Sequence, residues 1–328
     1  MAVAPTLTRR AALAACTLAA SAVGRAEASR PPLRLVVPGA PDSPIDTLGR
    51  ALADAVAVAG NAAPHVENRS VDRGARAIAT IEHAVPDGRN LLLFGSGLVG
   101  GRYGRDPLPV DPFQRLTAVA QVAREPLVLA VRADARFETI PDVVAAARAR
   151  GPRERALGGT DALACLVGRE MGRLCGAHLA PTLQESSANM IYDIEAGLLL
   201  AGWLRPSALP VTRRQIRLLA VSARRRSVLW PDVPAAQELG AEGLDLECWT
   251  GVFGPAGMPL DAVARTYRML EDAFASWRLR GATAALAMEA ELRPGEQLLE
   301  TMRRHDGVWA AAQRAEDLAR WRPAASPP

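Results

Sequence analysis

Between residues 33 and 95 the chain alternates between two hydrophobic periods, and no other feature constrains its fold as much. "LRLVVP" (33–38) has the length and β-branched content of a short buried strand. "SPIDTLGRALADAVAVAG" then carries a helix start, with Ser43 at the N-cap, Pro44 at the first helical position, Asp46 at the third and Gly60 as the stop. "PHVENR" reads as a second strand, and "DRGARAIATIEHAV" has helical spacing. The turn "PDG" (86–88) leads into a third strand, "NLLLF". A β-α-β-α-β series of this kind predicts the α/β class, with an open parallel sheet.

The third strand runs into Gly95-Ser96-Gly97-Leu98-Val99-Gly100, which spells G-x-G-x-x-G. A dinucleotide fingerprint needs a helix that opens inside the motif, because the pyrophosphate sits on that helix's N-terminus. Residues 101–112 contain three prolines and two glycines, which exclude a long helix. The motif also follows the third strand instead of the first. The remaining reading is a loop at the carboxyl end of a parallel strand, offering N–H groups and the Ser96 hydroxyl. Open α/β sheets hold ligands at such places.

Further on, residues 117–123 and 126–131 read as strands. Helices are expected over 139–149, 161–176 and 187–196. Strands are expected near 155–158, 178–181, 198–201 and 216–221, and over 246–257 with a turn. The C-terminus reads as helical over 259–278, 281–290 and 295–321.

Composition removes several function classes. All 39 basic residues are arginine, so no chemistry that needs an amine is available: no P-loop lysine, no Schiff base, no pyridoxal-phosphate site. The formal charge is only +4, and no basic stripe is interleaved with aromatic residues, which argues against nucleic acid. The four histidines are scattered and no C-x-x-C or H-E-x-x-H occurs, so neither a metal site nor a cofactor is expected. No G-x-S-x-G surrounds Ser96, since Phe94 stands where its first glycine would fall, and catalysis is not expected.

Residues 1–28 read as a cleaved export signal: Arg9-Arg10, a thirteen-residue apolar run over 11–23, and an Ala26-Glu27-Ala28 cleavage site. That run falls short of the ~20 residues that span a bilayer. The twin arginine leaves Tat and Sec export both open. Cys165, Cys175 and Cys248 would remain in the mature chain. The first two lie on one predicted helix, ten residues and ~15 Å apart, beyond disulfide reach, and buried thiols are expected.

In collinear order, "LRLVVPGAP", "PIDTLGRALAD", "VENR", "PDGRNLLLFGS", "EPLVLAVRAD", "RPSALP", "IRLLAVSARRR", "LWPDVPAAQELG" and "WTGVFGPAGMPLDAV" span nearly the whole mature chain. This ordered set resembles the Bug-type periplasmic solute-binding proteins of tripartite tricarboxylate transporters. The resemblance implies a type II periplasmic-binding-protein fold, two α/β lobes with a ligand cleft between them. It also implies a small organic acid as ligand, membrane transporter subunits as partners, a periplasmic location and a monomer. Lobe 1 would hold residues 30–125 plus 250–328, and lobe 2 residues 126–249.

The residues agree with a site of that type. The Ser43-Pro44-Ile45-Asp46 helix start offers N–H donors to an anion. Gly95-Ser96-Gly97 offers a second loop, Gly158-Gly159-Thr160 a third, and Thr250 part of the wall. Asp161 reads as a helix cap. Arg205, after a strand end, is either solvated or set to face a carboxylate. The pocket segments depart from the family more than the scaffold does. Asp42 adds a negative charge beside the first loop, "LGGTDALA" is short, and "LLLAG" (198–202) lacks the family's aspartate. A sensory or vestigial binder of the same fold therefore stands as the alternative to a transport receptor.

Overall fold

A computed structural model describes residues 32–103, 107–150, 156–209 and 215–314. The predicted export signal and the tail beyond 314 lie outside those residues. The first β-α-β-α-β series forms β1 (Arg34–Val37), α1 (Pro44–Val58), β2 (His65–Asn68), α2 (Ala75–Glu82) and β3 (Asn90–Gly95). β1 pairs in parallel with β2 on one side and with β3 on the other. The apolar stripe of α1, including Leu48, Leu52 and Val56, buries against this sheet.

The sheet is mixed, not simply parallel as the first ninety-five residues suggested. β4 (Leu116–Pro126) and β10 (Glu247–Pro255) join it in antiparallel fashion, and β11 (Glu289–Pro294) closes the edge. The order is β11-β4-β10-β3-β1-β2. Non-local pairing sets this, so the local β/α rhythm of the first series does not reveal it. After β3 the chain makes one short turn of helix, α3 (Gly97–Gly100), and another, α4 (Pro112–Arg115), before β4. No long helix follows the glycine motif among the described residues, as its prolines require.

A second sheet, ordered β7-β6-β8-β5-β9, is built from β5 (Val128–Arg132), β6 (Leu157–Gly159), β7 (Thr182–Leu183), β8 (Ala201–Leu204) and β9 (Ile216–Val221). β5 runs antiparallel to both β8 and β9, while β6 is parallel to β7 and β8. The helices α5 (Ile140–Ala149), α6 (Ala162–Leu174) and α7 (Ser187–Glu195) accompany it. The expected strands at 178–181 and 198–201 form a few residues later, as β7 and β8.

The C-terminal region departs most from expectation. The run 259–278 breaks at Ala275–Ser276 into α8 (Leu260–Phe274) and α9 (Trp277–Ala285). The helix expected over 281–290 ends early: Ala287 takes a left-handed backbone with φ of 57°, and the chain turns into β11. Pairing with β4 overrides the helix propensity of this alanine-rich stretch. The register sets Glu289 opposite Arg124, and the two side chains form an ion pair at 3.5 Å. The chain then continues as α10 (Gly295–Arg314), which packs across β4 and α3.

None of Cys165, Cys175 and Cys248 is disulfide-bonded. Cys165 and Cys248 are buried as expected, whereas Cys175, at the C-terminal end of α6, is only half-buried. No helix among the described residues is long and apolar enough to cross a membrane.

Candidate functional site

The two sheets meet where β4 passes into β5 and where the chain returns into β10. A cavity of about 260 Å³ opens at this junction. Pro44 and Ile45 at the start of α1 line it, with Gly95, Ser96 and Gly97 at the end of β3. The ends of the two long crossing strands contribute Arg124 and Glu125 from β4, and Cys248, Trp249 and Thr250 from β10. Met288 comes from the turn before β11, and Arg205 comes from the other lobe, just after β8.

The first loop is held from beneath by Asp46. This carboxylate is fully buried and accepts from the Asp42 N–H at 2.9 Å, from Arg50 Nε at 2.9 Å and from Asn68 Nδ2 at 2.8 Å. Burial alone would raise its pKa, but the bonds from Arg50, Asn68 and the Asp42 backbone outweigh that and hold it below the usual carboxylate range. Asp46 therefore does not reach the cavity, in contrast to the reading of it as a ligand contact. It fastens the loop, in which Asp42 adopts a left-handed backbone with φ of 63°. Ser43 is the N-cap by backbone conformation, but its hydroxyl donates to the Ala40 carbonyl at 2.6 Å and leaves the helix's first N–H groups uncapped. Those donors, with the positive end of the helix dipole, face the Pro44–Ile45 wall.

At the second loop the Ser96 N–H is already committed to the Trp249 carbonyl at 2.8 Å. Its half-buried hydroxyl is the group that remains, beside Cys248 on the wall. Burial pushes the Cys248 thiol far above its ordinary value, so it is a neutral thiol in the wall. Gly97 is exposed and Thr250 is buried, both on the cavity. The third loop behaves differently. Gly159 and Thr160 do not line the cavity: Gly159 is buried, and a Cβ there would sit 2.7 Å from the Cys165 N, so the strand end approaches α6 too closely for a side chain. Only the next residue connects with the site. Asp161 caps α6 by accepting from the Ala164 N–H at 2.9 Å, and its second oxygen accepts from Arg205 Nε at 3.0 Å.

Arg205 is the pivot of the site's electrostatics. Its Nη1 donates to Glu125 Oε2 at 2.8 Å, and Ser207 Oγ donates to Glu125 Oε1 at 3.1 Å. Arg205 therefore bridges a carboxylate on β4 and another at the head of α6. Glu125 is almost fully buried, and burial raises its pKa despite the neighbouring Arg205 and Ser207. Glu125, Cys248 and Met288 were not picked out from the sequence. The available signal was Arg124-Glu125, an adjacent charged pair inside a largely apolar strand.

Residues 48–294 match the family described as "Tripartite tricarboxylate transporter family receptor". A UPF0065 protein of Bordetella bronchiseptica is 31% identical over 235 residues, covering 71% of this chain and 70% of that one. The chain belongs to this receptor family. Among solved structures it is similar to a TctC solute-binding protein from Polaromonas, with a TM-score of 0.76 at 20% identity, covering 87% of this chain and 98% of that one. It is also similar to an R. palustris protein solved with adipate, with a TM-score of 0.63 at 21% identity, covering 88% and 97%. These likenesses establish the two-lobed binding-protein fold for this receptor. The family is one of periplasmic solute-binding receptors.

Proposed function

We propose that this receptor captures a small carboxylated molecule in the cavity between its lobes and delivers it to membrane transporter subunits. The reading takes the chain to be an exported monomer, with lobe 1 made of residues 30–125 plus 250–328 and lobe 2 of 126–249. The observation that carries it is the cavity of about 260 Å³, where an uncapped helix start, the Ser96 hydroxyl and the Arg205 guanidinium converge from both lobes. A carboxylate placed there would accept from the α1 N–H groups and Ser96 on one side and from Arg205 on the other, and so draw the lobes together. The adipate-bound relative supports this ligand class.

One observation favours the second reading, a sensory or vestigial binder. Arg205 is already bonded to Glu125 and Asp161, so an incoming acid competes with two resident carboxylates. A thermal-shift screen of the purified protein against organic acids separates a working receptor from a vestigial one, and transporter or sensor genes next door separate transport from sensing. An acid at 100 times its dissociation constant stabilises by about 2.7 kcal/mol. A clear rise in melting temperature with any acid supports a carboxylate receptor, and no shift across the panel overturns it and leaves the vestigial reading.

A further inference from the structure

Arg124, which borders the cleft, also borders a second, larger cavity of about 420 Å³. Five arginines converge on it. Arg224 and Arg225 come from the loop after β9, Arg293 from β11, Arg304 from α10, and Arg124 from β4. We propose that this cavity is a second binding site, for a small polyanion, that ties the loop after β9 to α10 and β11.

The carboxylates present do not use up these donors. Asp245 serves two guanidinium groups, Arg224 Nε at 2.8 Å and Arg304 Nη2 at 2.7 Å. Glu291 likewise serves Arg225 and Arg293, and also accepts from Gln121 Nε2 at 2.8 Å. Glu247 and Glu289 both turn to Arg124 Nε, at 3.2 and 3.5 Å. Glu300 is the remaining acid on the wall. Five carboxylates thus face five guanidinium groups, but each guanidinium carries five N–H groups and these ion pairs occupy only part of each fork. Arg124 is 2% exposed, and its Nη2 has no hydrogen-bond partner. A buried donor left in that state costs free energy that an anion would recover.

The crowding of like charge points the same way. Burial lowers the pKa of Arg225, and repulsion from Arg124 and Arg293 lowers it further, against the pull of Glu289 and Glu247. Guanidinium groups gathered from separate elements with planar, bidentate donors match a ligand with several anionic oxygens.

Inorganic pyrophosphate is the probe, titrated calorimetrically into the full chain at low salt. Binding is expected, at least about tenfold weaker in Arg225→Gln/Arg304→Gln than in the unmodified chain. Arg226→Gln, on the same loop but bonded to Glu238 away from the cavity, is expected to bind as the parent does. Ser96→Ala, in the cleft, is also expected to leave it unchanged. Absence of binding to the parent overturns the proposal, and so does an equal loss in Arg226→Gln, which would mean diffuse surface attraction. A loss in Ser96→Ala would place the probe in the cleft and overturn it as well. If the double variant does not fold, Arg225→Gln alone carries the test, its side chain being 54% exposed and ion-paired to Glu291.

Discussion

Replacing Glu125 by glutamine tests the electrostatics of the cleft most directly. In the present structure Glu125 holds Arg205 Nη1 at 2.8 Å, and an acid bound to the same guanidinium would bring a second carboxylate close to it. Two unit charges about 5 Å apart at an effective dielectric of 20 repel by about 3 kcal/mol. Arg205 is partly solvated, its side chain being 39% exposed, so part of this is screened. A gain of about 1.4 kcal/mol, or tenfold in affinity, is the expected outcome for Glu125→Gln. The amide keeps an oxygen for Arg205 and Ser207, and the change removes a carboxylate that burial already disfavours. The fold should therefore lose no more than about 1 kcal/mol. Titration calorimetry at pH 7 against adipate and a panel of di- and tricarboxylic acids reads the affinity, and thermal melting reads the fold. In the parent chain acid binding should also strengthen as pH falls, because protonated Glu125 no longer competes for Arg205, and this pH dependence should flatten in the variant. A variant that melts normally yet binds acids no better than the parent would refute the reasoning, since Glu125 would then be a support for Arg205 and not its competitor.

Ser96→Ala should weaken acid binding by about 1–3 kcal/mol with little change in melting, because a charge-assisted bond is lost at a half-buried position; unaltered titrations would remove Ser96 from the site. Asp46→Ala should destabilise the fold by about 3 kcal/mol, since it strands Arg50, Asn68 and the Asp42 N–H around a buried gap. Because the folded pKa of Asp46 is depressed, its contribution is present above the unfolded value of 3.8 and disappears as pH falls through the folded value, which acid melts of parent and variant would show. Burial pushes Glu247 up to about 7 from 4.5, so the folded chain holds that proton more tightly and stability falls as pH rises between those values, by about 3 kcal/mol at most. Burial pushes His305 down to about 4 from 6.5, so the unfolded chain takes that proton first and stability falls as pH drops through the same window. The two oppose each other: melting should be nearly level from about pH 5 to 6.5 in the parent, rise with pH in Glu247→Gln and fall with pH in His305→Gln.

The scaffold was legible in the sequence because strands and helices are written in hydrophobic period, and the first series shows it plainly. β1 to β3 and α1 fall where their apolar residues and the Ser43-Pro44 start place them. β11 was not legible, because "MEAEL" follows a helix-rich stretch and becomes a strand only by pairing with β4. The mixed character of the first sheet was hidden for the same reason: β10 enters between β3 and β4 from more than a hundred residues away. Of the three loops expected from the sequence, the first two border the cavity and the third does not, and the sequence does not show which of their groups are free. Pro44, Ser96, Gly97 and Thr250 line the cavity, whereas Asp46 is spent on Arg50 and Asn68, and Gly159 on packing against α6. Capping and contact use the same residue types at a helix start, and only the partners of each atom separate them.

The charged pair inside β4 is where local pattern and function part company. Consecutive residues of a strand lean to opposite faces, yet both Arg124 and Glu125 border the cleft, and Arg124 borders the second cavity as well. In the register Arg124 stands opposite Trp249 and Glu289, and Glu125 opposite Cys248. Glu125 meets Arg205 in the cleft, while the Arg124 head meets Glu247, which borders the second cavity. A largely apolar strand with two buried charges near its end would be unstable if both lacked partners, since each buried ion needs compensation. Here each partner comes from a different part of the chain: Arg205 from the lobe built on the second sheet, Glu289 from the edge strand β11, and Glu247 from β10 itself. The crossing strand is thus fixed electrostatically from both faces at the point where the chain passes from one sheet to the other. Any ligand that takes Arg205 from Glu125 acts on that point, which lies next to β5, the first strand of the second sheet.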